Sequence, residues 1–516
     1  MQTEKEYLSA RDVMTLRCES AAEYSLPDYN GDVKKVLTVK TKAFPAGKFV
    51  GEDLLEFSGS VTYEVVYLDG ENNVTHAEFS SGYDGAVRIN PDTYVDSDVF
   101  TSVSGCNMRL VGPRKICVKS TLDNEIRISE RKRYEINGDA FDEYEPETSV
   151  KTVNVSARFF GSVEADEITE EILSIEGAIA DEVEILLSDA EFIPGSIEKK
   201  DNEVEVKGSI RVTLLYRNAD EKPRIVTKDI AFDEEIELEG AGSLDALDIR
   251  VDLTSLKTGV EPTEDGVSLV VTLVAVPVAY GIKNTGIEVV RDAYLKERGT
   301  SNDYSEFGYT EHICTETYEE KFELKRPASE LGIEDIGEII WAESAVRSEK
   351  CDFDEKGVKI DGEIKFSGIA CKVSEDGTPS YYPIKFTASF SQNVNVSCQK
   401  HDNMRIDCSV RSMDTKMEFT ENDLYACATI CTLITINSQR RQRCLGSSFL
   451  TDEEYSRDES IITVYYPEPS ETLFEIAKRF HTSVYAIAET NRLTENVFAS
   501  SDEGVGTSDV KKLIIK

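Results

Sequence analysis

Apolar and polar residues alternate one by one over long stretches of the chain. The cleanest run is 203–216, with Val204, Val206, Ile210, Val212, Leu214 and Tyr216 in one phase and Glu203, Glu205, Lys207, Ser209, Arg211 and Thr213 in the other. Successive side chains of a strand point to opposite faces, so the pattern predicts a long strand with one buried and one wetted face. Gly208 falls in the buried phase, where glycine marks a bulge or the close approach of another backbone. The design occurs twice more. Leu55, Phe57, Val61, Tyr63, Val65 and Tyr67 are in phase around Gly59, and Val358, Ile360, Ile364 and Phe366 around Gly362. Three such strands at near-equal spacing, with the glycine in register, argue for internal triplication.

Each copy repeats the same order. An opening strand (33–44, 182–192, 338–346) precedes the glycine strand, with a proline–glycine turn between them at 45–47 and 194–195 in the first two copies. A hairpin and shorter strands follow, and a long closing run ends each copy at 115–128, 267–280 and 425–436. Helical periodicity is scarce. The expectation is a mainly β chain of three repeated β-sandwich or barrel-like domains. The boundaries read as 1–165 (a mixed leader of about 30 residues plus the first repeat), 166–320 and 321–446. Polar 447–460 reads as a linker.

The period changes over 461–516. A short β-prone run is followed by Ser470 or Glu471 as a helix cap. Leu473, Ile476, Ala477 and Phe480 then make one helical stripe. Ser483 caps a second short helix carrying Val484, Ile487 and Ala488, Asn491 ends it, and 512–516 reads as a final strand. A small βααβ domain is predicted.

Charge narrows the function. The 516 residues include 98 acidic and 57 basic side chains, a formal net charge of −41. That sign argues against nucleic acid or an anionic membrane as partner. The start of the chain lacks the basic-then-apolar pattern of a secretory signal. The most apolar stretch, 267–282, is short for a bilayer and interrupted by Pro277, so it reads as a buried strand and no membrane insertion is expected. Eleven cysteines without Cys-x-x-Cys knots suit reduced thiols in a cytosol. Neither Cys427 with Cys431 nor His312 with Cys314 has a second pair at ligand spacing, so no metal site is expected. His76, His312, His401 and His481 lie in unrelated contexts, and no phosphate loop or dinucleotide fingerprint is present. The expectation is a protein without catalytic residues or cofactor, not an enzyme. Trp341 is expected to pack in the core or at an edge.

The last segment resembles a LysM domain through Val464, Thr472, Leu473, Ile476, Ala477, Phe480, Ile487, Asn491, Leu493, Leu513 and Ile515. Such domains commonly bind N-acetylglucosamine polymers between two loops. The resemblance therefore nominates Pro469, Ser470, Glu471, Thr472, Leu473, Asn491, Arg492 and Leu493 as partner- or glycan-binding residues. Ser470-Glu471 stands where the family has Gly-Asp, and the loop 494–509 is long. The repeats resemble the SPOCS domain of spore-envelope proteins, through Val206, Gly208, Ile210, Leu215 and Tyr216 in the second and Phe57, Gly59, Val61, Val66 and Tyr67 in the first. The third has Ile369-Ala370 in place of Leu-Tyr. Several SPOCS repeats followed by one LysM domain resemble the clostridial spore-coat morphogenetic proteins. That resemblance implies a non-catalytic scaffold in the mother-cell cytoplasm, at the forespore surface. Its LysM domain would dock on the basal-layer coat ATPase, and its β repeats would recruit other coat proteins or self-associate. The alternative is a cell-wall protein that binds peptidoglycan.

Overall fold

The structure is a computed structural model describing residues 4–28, 30–164, 166–219, 222–333, 337–354, 357–375, 377–456, 461–468, 471–493 and 511–516. Its first unit contains β1 (Glu4–Ala10), β2 (Met14–Ser25), β3 (Lys35–Val50), β4 (Leu54–Leu68), β5 (Val74–Arg88), β6 (Tyr94–Gly112) and β7 (Lys115–Glu135). The second contains β8 (Glu147–Ser162), β9 (Glu167–Glu176), β10 (Val183–Lys199), β11 (Glu203–Asn218), β12 (Arg224–Glu237), β13 (Ala246–Pro262) and β14 (Gly266–Tyr294). The third contains β15 (Arg298–Pro327), β16 (Glu338–Asp354), β17 (Gly357–Val373), β18 (Pro379–Val394), β19 (Met404–Thr420) and β20 (Asp423–Glu454).

Every unit packs two antiparallel sheets face to face. The smaller sheet has the glycine strand at its centre, in the orders β3-β4-β5, β10-β11-β12 and β16-β17-β18. The larger is built on the long closing strand. In the first unit β7 pairs with β6 on one side and with β2 and then β1 on the other. In the second, β14 pairs with β13 on one side and with β9 and then β8 on the other. In the third, β15 alone runs the length of β20, with β19 opposite. The sheets stay open, so sandwich rather than barrel describes these units.

Pairing corrects two readings of polar sequence. The supposed leader supplies β1 and β2, both zipped to β7. Residues 447–454 are not linker but the end of β20, paired with the start of β15. Both stretches look irregular because the strands are half-wetted, and their partners are distant in sequence. By the same logic β8 and β15 begin ahead of the joins placed at 165/166 and 320/321, because β14 and β20 need partners along their whole length.

The glycines have a common structural reason. A Cβ on Gly59 would meet the Tyr83 hydroxyl at 2.5 Å, one on Gly208 the Ile193 carbonyl at 2.4 Å and the Phe192 ring at 2.8 Å. On Gly362 it would meet the Arg347 carbonyl at 2.3 Å and the Phe390 ring at 2.7 Å. Opposite each glycine the opening strand slips register, between Phe44 and Gly47, Pro194 and Ser196, and Ser348 and Lys350. Bulge and close approach therefore coincide, with the bulge in the partner strand. In the first unit the Tyr83 hydroxyl ties the two together by donating to the Phe44 carbonyl at 2.9 Å.

The opening strands also bulge earlier, between Val36 and Thr38, Ile185 and Leu187, and Ile339 and Trp341. The extra residues, Leu37, Leu186 and Ile340, turn away from their own sandwiches into one shared cluster with Val66, Leu215, Ile369 and Trp341. Val66, Leu215 and Ile369 stand at the same offset from their glycines, and all three are fully buried. Each unit touches both others, so equivalent positions of the three meet at one apolar plug. A second plug joins the larger sheets through Tyr134, Val153, Val289, Phe307 and Leu445. There the Tyr134 hydroxyl donates to the Leu445 carbonyl at 3.1 Å and accepts from the Val290 N–H at 3.2 Å.

Candidate functional site

Beside the first plug lies a charge cluster built from one position of each opening strand, with Lys40 buried and its two acids partly exposed. Lys40, Asp189 and Glu343 face Glu64, Thr213 and Ser367, which are equally distant from their glycines. The Lys40 ammonium is 2.7 Å from Asp189, 3.8 Å from Glu343, and 5.2 Å from the centre of the Trp341 ring. Lys42 adds a 2.7 Å pair to Glu64, whose carboxylate also accepts from the Ser188 hydroxyl at 2.7 Å. Burial alone would raise the Asp189 carboxyl, but the charge and hydrogen bond of Lys40 hold it below the usual range. Burial likewise opposes the charge on Lys40, and Asp189 and Glu343 together reverse that. One cation against two acids is an arrangement that three identical copies do not provide, so the cluster distinguishes the units from one another.

A polar cleft of about 590 Å³ separates the first and second units, lined by Asn30, His76, Glu78, Glu184 and Arg217 among others. Glu184 closes it from within: its carboxylate lies 2.8 Å from the His76 Nδ1 and accepts from Arg217 at 2.7 Å. Burial pushes Glu184 up, and the hydrogen bond and charge of His76 with the charge of Arg217 bring it below its ordinary value. The charges in this cleft answer one another and fasten two units. Neither the cleft nor the charge cluster was foreseen. Superposing the three copies on their glycines would have aligned Lys40, Asp189 and Glu343, but the bulges that aim them inward have no sequence mark.

The last segment folds as β21 (Thr463–Tyr465), α1 (Leu473–Arg479), α2 (Val484–Asn491) and β22 (Leu513–Ile515), with β21 and β22 paired antiparallel. The cap of α1 is Thr472, rather than the expected Ser470 or Glu471. Its hydroxyl accepts from the Glu475 N–H at 3.2 Å while the Glu475 carboxylate accepts from the Thr472 N–H at 2.8 Å, a closed capping box. Ser483 caps α2 as expected. Leu473, Ile476, Ala477, Ile487, Leu513 and Ile515 form the small core.

The nominated loop residues turn out to be fasteners. Pro469 and Ser470 lie outside the described residues. Glu471 is 9% exposed. Its carboxylate accepts from the Tyr465 hydroxyl at 2.8 and 2.9 Å and pairs with Arg479 at 2.7 Å. Thr472 is the cap and Leu473 is core. The Asn491 side chain holds the α2 end to β22, donating to the Ile514 carbonyl and accepting from its N–H, both at 2.7 Å. Arg492 is exposed and in the left-handed region at φ 54°, and Leu493 packs partly against the core. Of the described set, only Arg492 presents a free-standing side chain to solvent.

The segment is seated on the end of β14. Tyr294 belongs to its core, stacks edge-on against Phe474 with ring centres 5.2 Å apart, and donates to the Thr482 carbonyl at 2.6 Å. Lys478 pairs with Asp292 at 2.6 Å. Several apolar side chains of the segment are exposed: Ile462 is 61% exposed, Val464 53%, Tyr466 70% and Tyr485 67%. Exposed aromatic and aliphatic side chains are the kind that anchor a partner surface. Among the described residues no helix is long and apolar enough to cross a membrane, and no group of three or more His, Cys, Asp or Glu is placed to hold a metal ion.

No curated protein matches the chain. Residues 170–261, from within β9 almost to the end of β13, match the family model described as SipL, SPOCS domain, so this part of the second unit is similar to a sporulation-related domain.

Proposed function

We propose that the chain is a non-catalytic scaffold of endospore envelope assembly, acting at the forespore surface in the mother-cell cytoplasm. The observation that carries this reading is the SPOCS match at 170–261, in a unit whose strand order and glycine slot recur on both sides of it. In this reading all three units are SPOCS repeats, and 461–516 is a LysM domain that docks on the basal-layer coat ATPase. The three sandwiches would present the outer surfaces to other coat proteins or to a second copy. The exposed aliphatic Ile462 and Val464, with Tyr466 and Tyr485 as candidate anchors, favour a protein partner, since aliphatic side chains are anchors for apolar protein surface. The alternative, a peptidoglycan binder, rests on the βααβ segment alone.

The test is a pull-down of the basal-layer ATPase beside a peptidoglycan sedimentation assay, both with the full chain. Retention of the ATPase and little pelleting with glycan are expected. Tyr466→Ser and Tyr485→Ser should each weaken retention about tenfold, as loss of an interface anchor does. Arg492→Glu is the charge probe to use here. Reversing Glu471 would set a cation against Arg479 and disturb the segment itself. Firm pelleting with peptidoglycan and no ATPase retained would transfer the protein to the alternative.

A further inference from the structure

The third unit concentrates thiols at the seams between its two sheets. Cys314 on β15 and Cys398, just past the end of β18, bring their sulfurs to 3.6 Å. β15 and β18 approach each other along one edge of the sandwich. At the other edge β16 packs on β19, and there the thiols of Cys351 and Cys408 lie close enough to perturb one another's titration. All four cysteines are only partly buried. Cys371 and Cys427, by contrast, are buried and fill core space. The second unit makes the same fold without a cysteine from 147 to 294. In the first, Cys18 and Cys106 stand on opposite sides of β7, facing Leu122 and Ser120. The fold therefore does not need paired thiols, and only the third unit sets them across both seams.

We propose that the third unit carries two latent disulfides, Cys314–Cys398 and Cys351–Cys408, which clamp its sheets together at both edges when the chain meets a low-molecular-weight disulfide. A disulfide is about 2.05 Å long, so the Cys314 and Cys398 sulfurs need to close by roughly 1.5 Å. In each pair one protein thiolate attacks a sulfur of the small disulfide, whose S–S bond breaks and releases one half as a thiol. The second protein thiolate then attacks the mixed disulfide at the protein sulfur and releases the other half. Two protein thiols are oxidised, one small disulfide is reduced by two electrons, and the two protein protons end on the two released thiols. Cys351 suits the first attack, because the hydrogen bond from Cys408 holds its thiol below the ordinary range. Burial, with the neighbouring Cys398, pushes Cys314 up to about 11, which makes Cys314 a poor first attacker. Each bond closes a long loop between sheets otherwise joined by packing and a few side-chain hydrogen bonds, such as Ser344 with Thr415 and Thr432 with Gln392, so the oxidised unit resists separation.

The experiment treats the native full chain with oxidised glutathione, blocks remaining thiols by alkylation and maps the linked peptides by mass spectrometry. Loss of four thiols, with 314–398 and 351–408 peptides linked and Cys18, Cys106 and Cys117 still alkylated, is expected. The unfolding midpoint should rise on the order of 10 °C and return on reduction. Cys314→Ser and Cys351→Ser should each remove one link and keep the other. Stable glutathione adducts on either pair, scrambled links, or pairing only in denaturant would overturn the proposal. The mapping on the unaltered chain decides it even if a variant fails to fold.

Discussion

The second and third units share strand order, glycine slot and paired bulges, yet they are filled with different chemistry. The second has a core of aliphatic and aromatic side chains, from Val204, Ile210 and Leu214 to Phe232 and Leu273. The third packs Met417 at its centre and Cys314, Cys351, Cys398, Met404 and Cys408 around the margin. Tyr216 of the second is answered by Ala370 in the third. The larger sheet of the second takes two strands, β8 and β9, to edge its closing strand, where the third uses β15 throughout. A frame held by backbone features tolerates such exchange. Glycine against an aromatic, and a bulge opposite, fix where the strands lie, and the side chains between them need only fill volume.

Removing Lys40 tests where the two units meet and should have the largest effect. Lys40→Met leaves Asp189 and Glu343 without their buried cation, with an expected loss on the order of 3 kcal/mol in denaturant unfolding, the low end for a buried pair because the Asp189 side chain is 46% exposed. Asp189→Asn should cost more than Glu343→Gln, since Lys40 is 2.7 Å from the first and 3.8 Å from the second. Equal losses would mean the cation does not favour the second unit.

Next come the glycines, where the units should behave alike. Gly208→Val and Gly362→Val each drive a side chain into a carbonyl and a ring, so both should lose about 1–3 kcal/mol by the same measurement. An unchanged melting temperature in either variant would remove the shared frame from the comparison.

The smallest effect separates the units by pH. Burial, with Asp189 and Asp414 nearby, pushes Glu191 up to about 7 from 4.5, while the matching position in the third unit is Ala345. The folded chain holds this proton when the unfolded chain has lost it. Stability therefore falls as pH rises from 4.5 to about 7, and the penalty is complete above that. Glu191→Gln should match the parent at pH 4 and exceed it at pH 8 by on the order of 1 kcal/mol. A melting profile parallel to the parent's across that range would rule this out.

Strands with one dry and one wet face were plain in the sequence because alternation reports burial directly, as at 203–216. The glycine register exposed the triplication for the same reason. β1, β2 and the end of β20 were hidden, since each is defined by hydrogen bonds to a distant strand rather than by its own pattern. Bulges were invisible as well: the shift at Leu37, Leu186 and Ile340 changes which residue faces inward without changing composition. The nominated loops were half legible. Thr472 and Asn491 stood out because their side chains do something specific, but that specific thing is holding the backbone, and the exposed Tyr466 and Tyr485 carried no motif.

The unequal charges of Lys40, Asp189 and Glu343 have a consequence for how this chain can be taken apart. A lone second unit would expose Leu186, Leu187 and Leu215, an oily surface that seeks company. Three copies of that unit gathered about the same centre would crowd three Asp189 carboxylates with no ammonium among them. The three units are thus dependent on one another: each fits only its own neighbours, and a stretch cut out between them is sticky rather than self-sufficient.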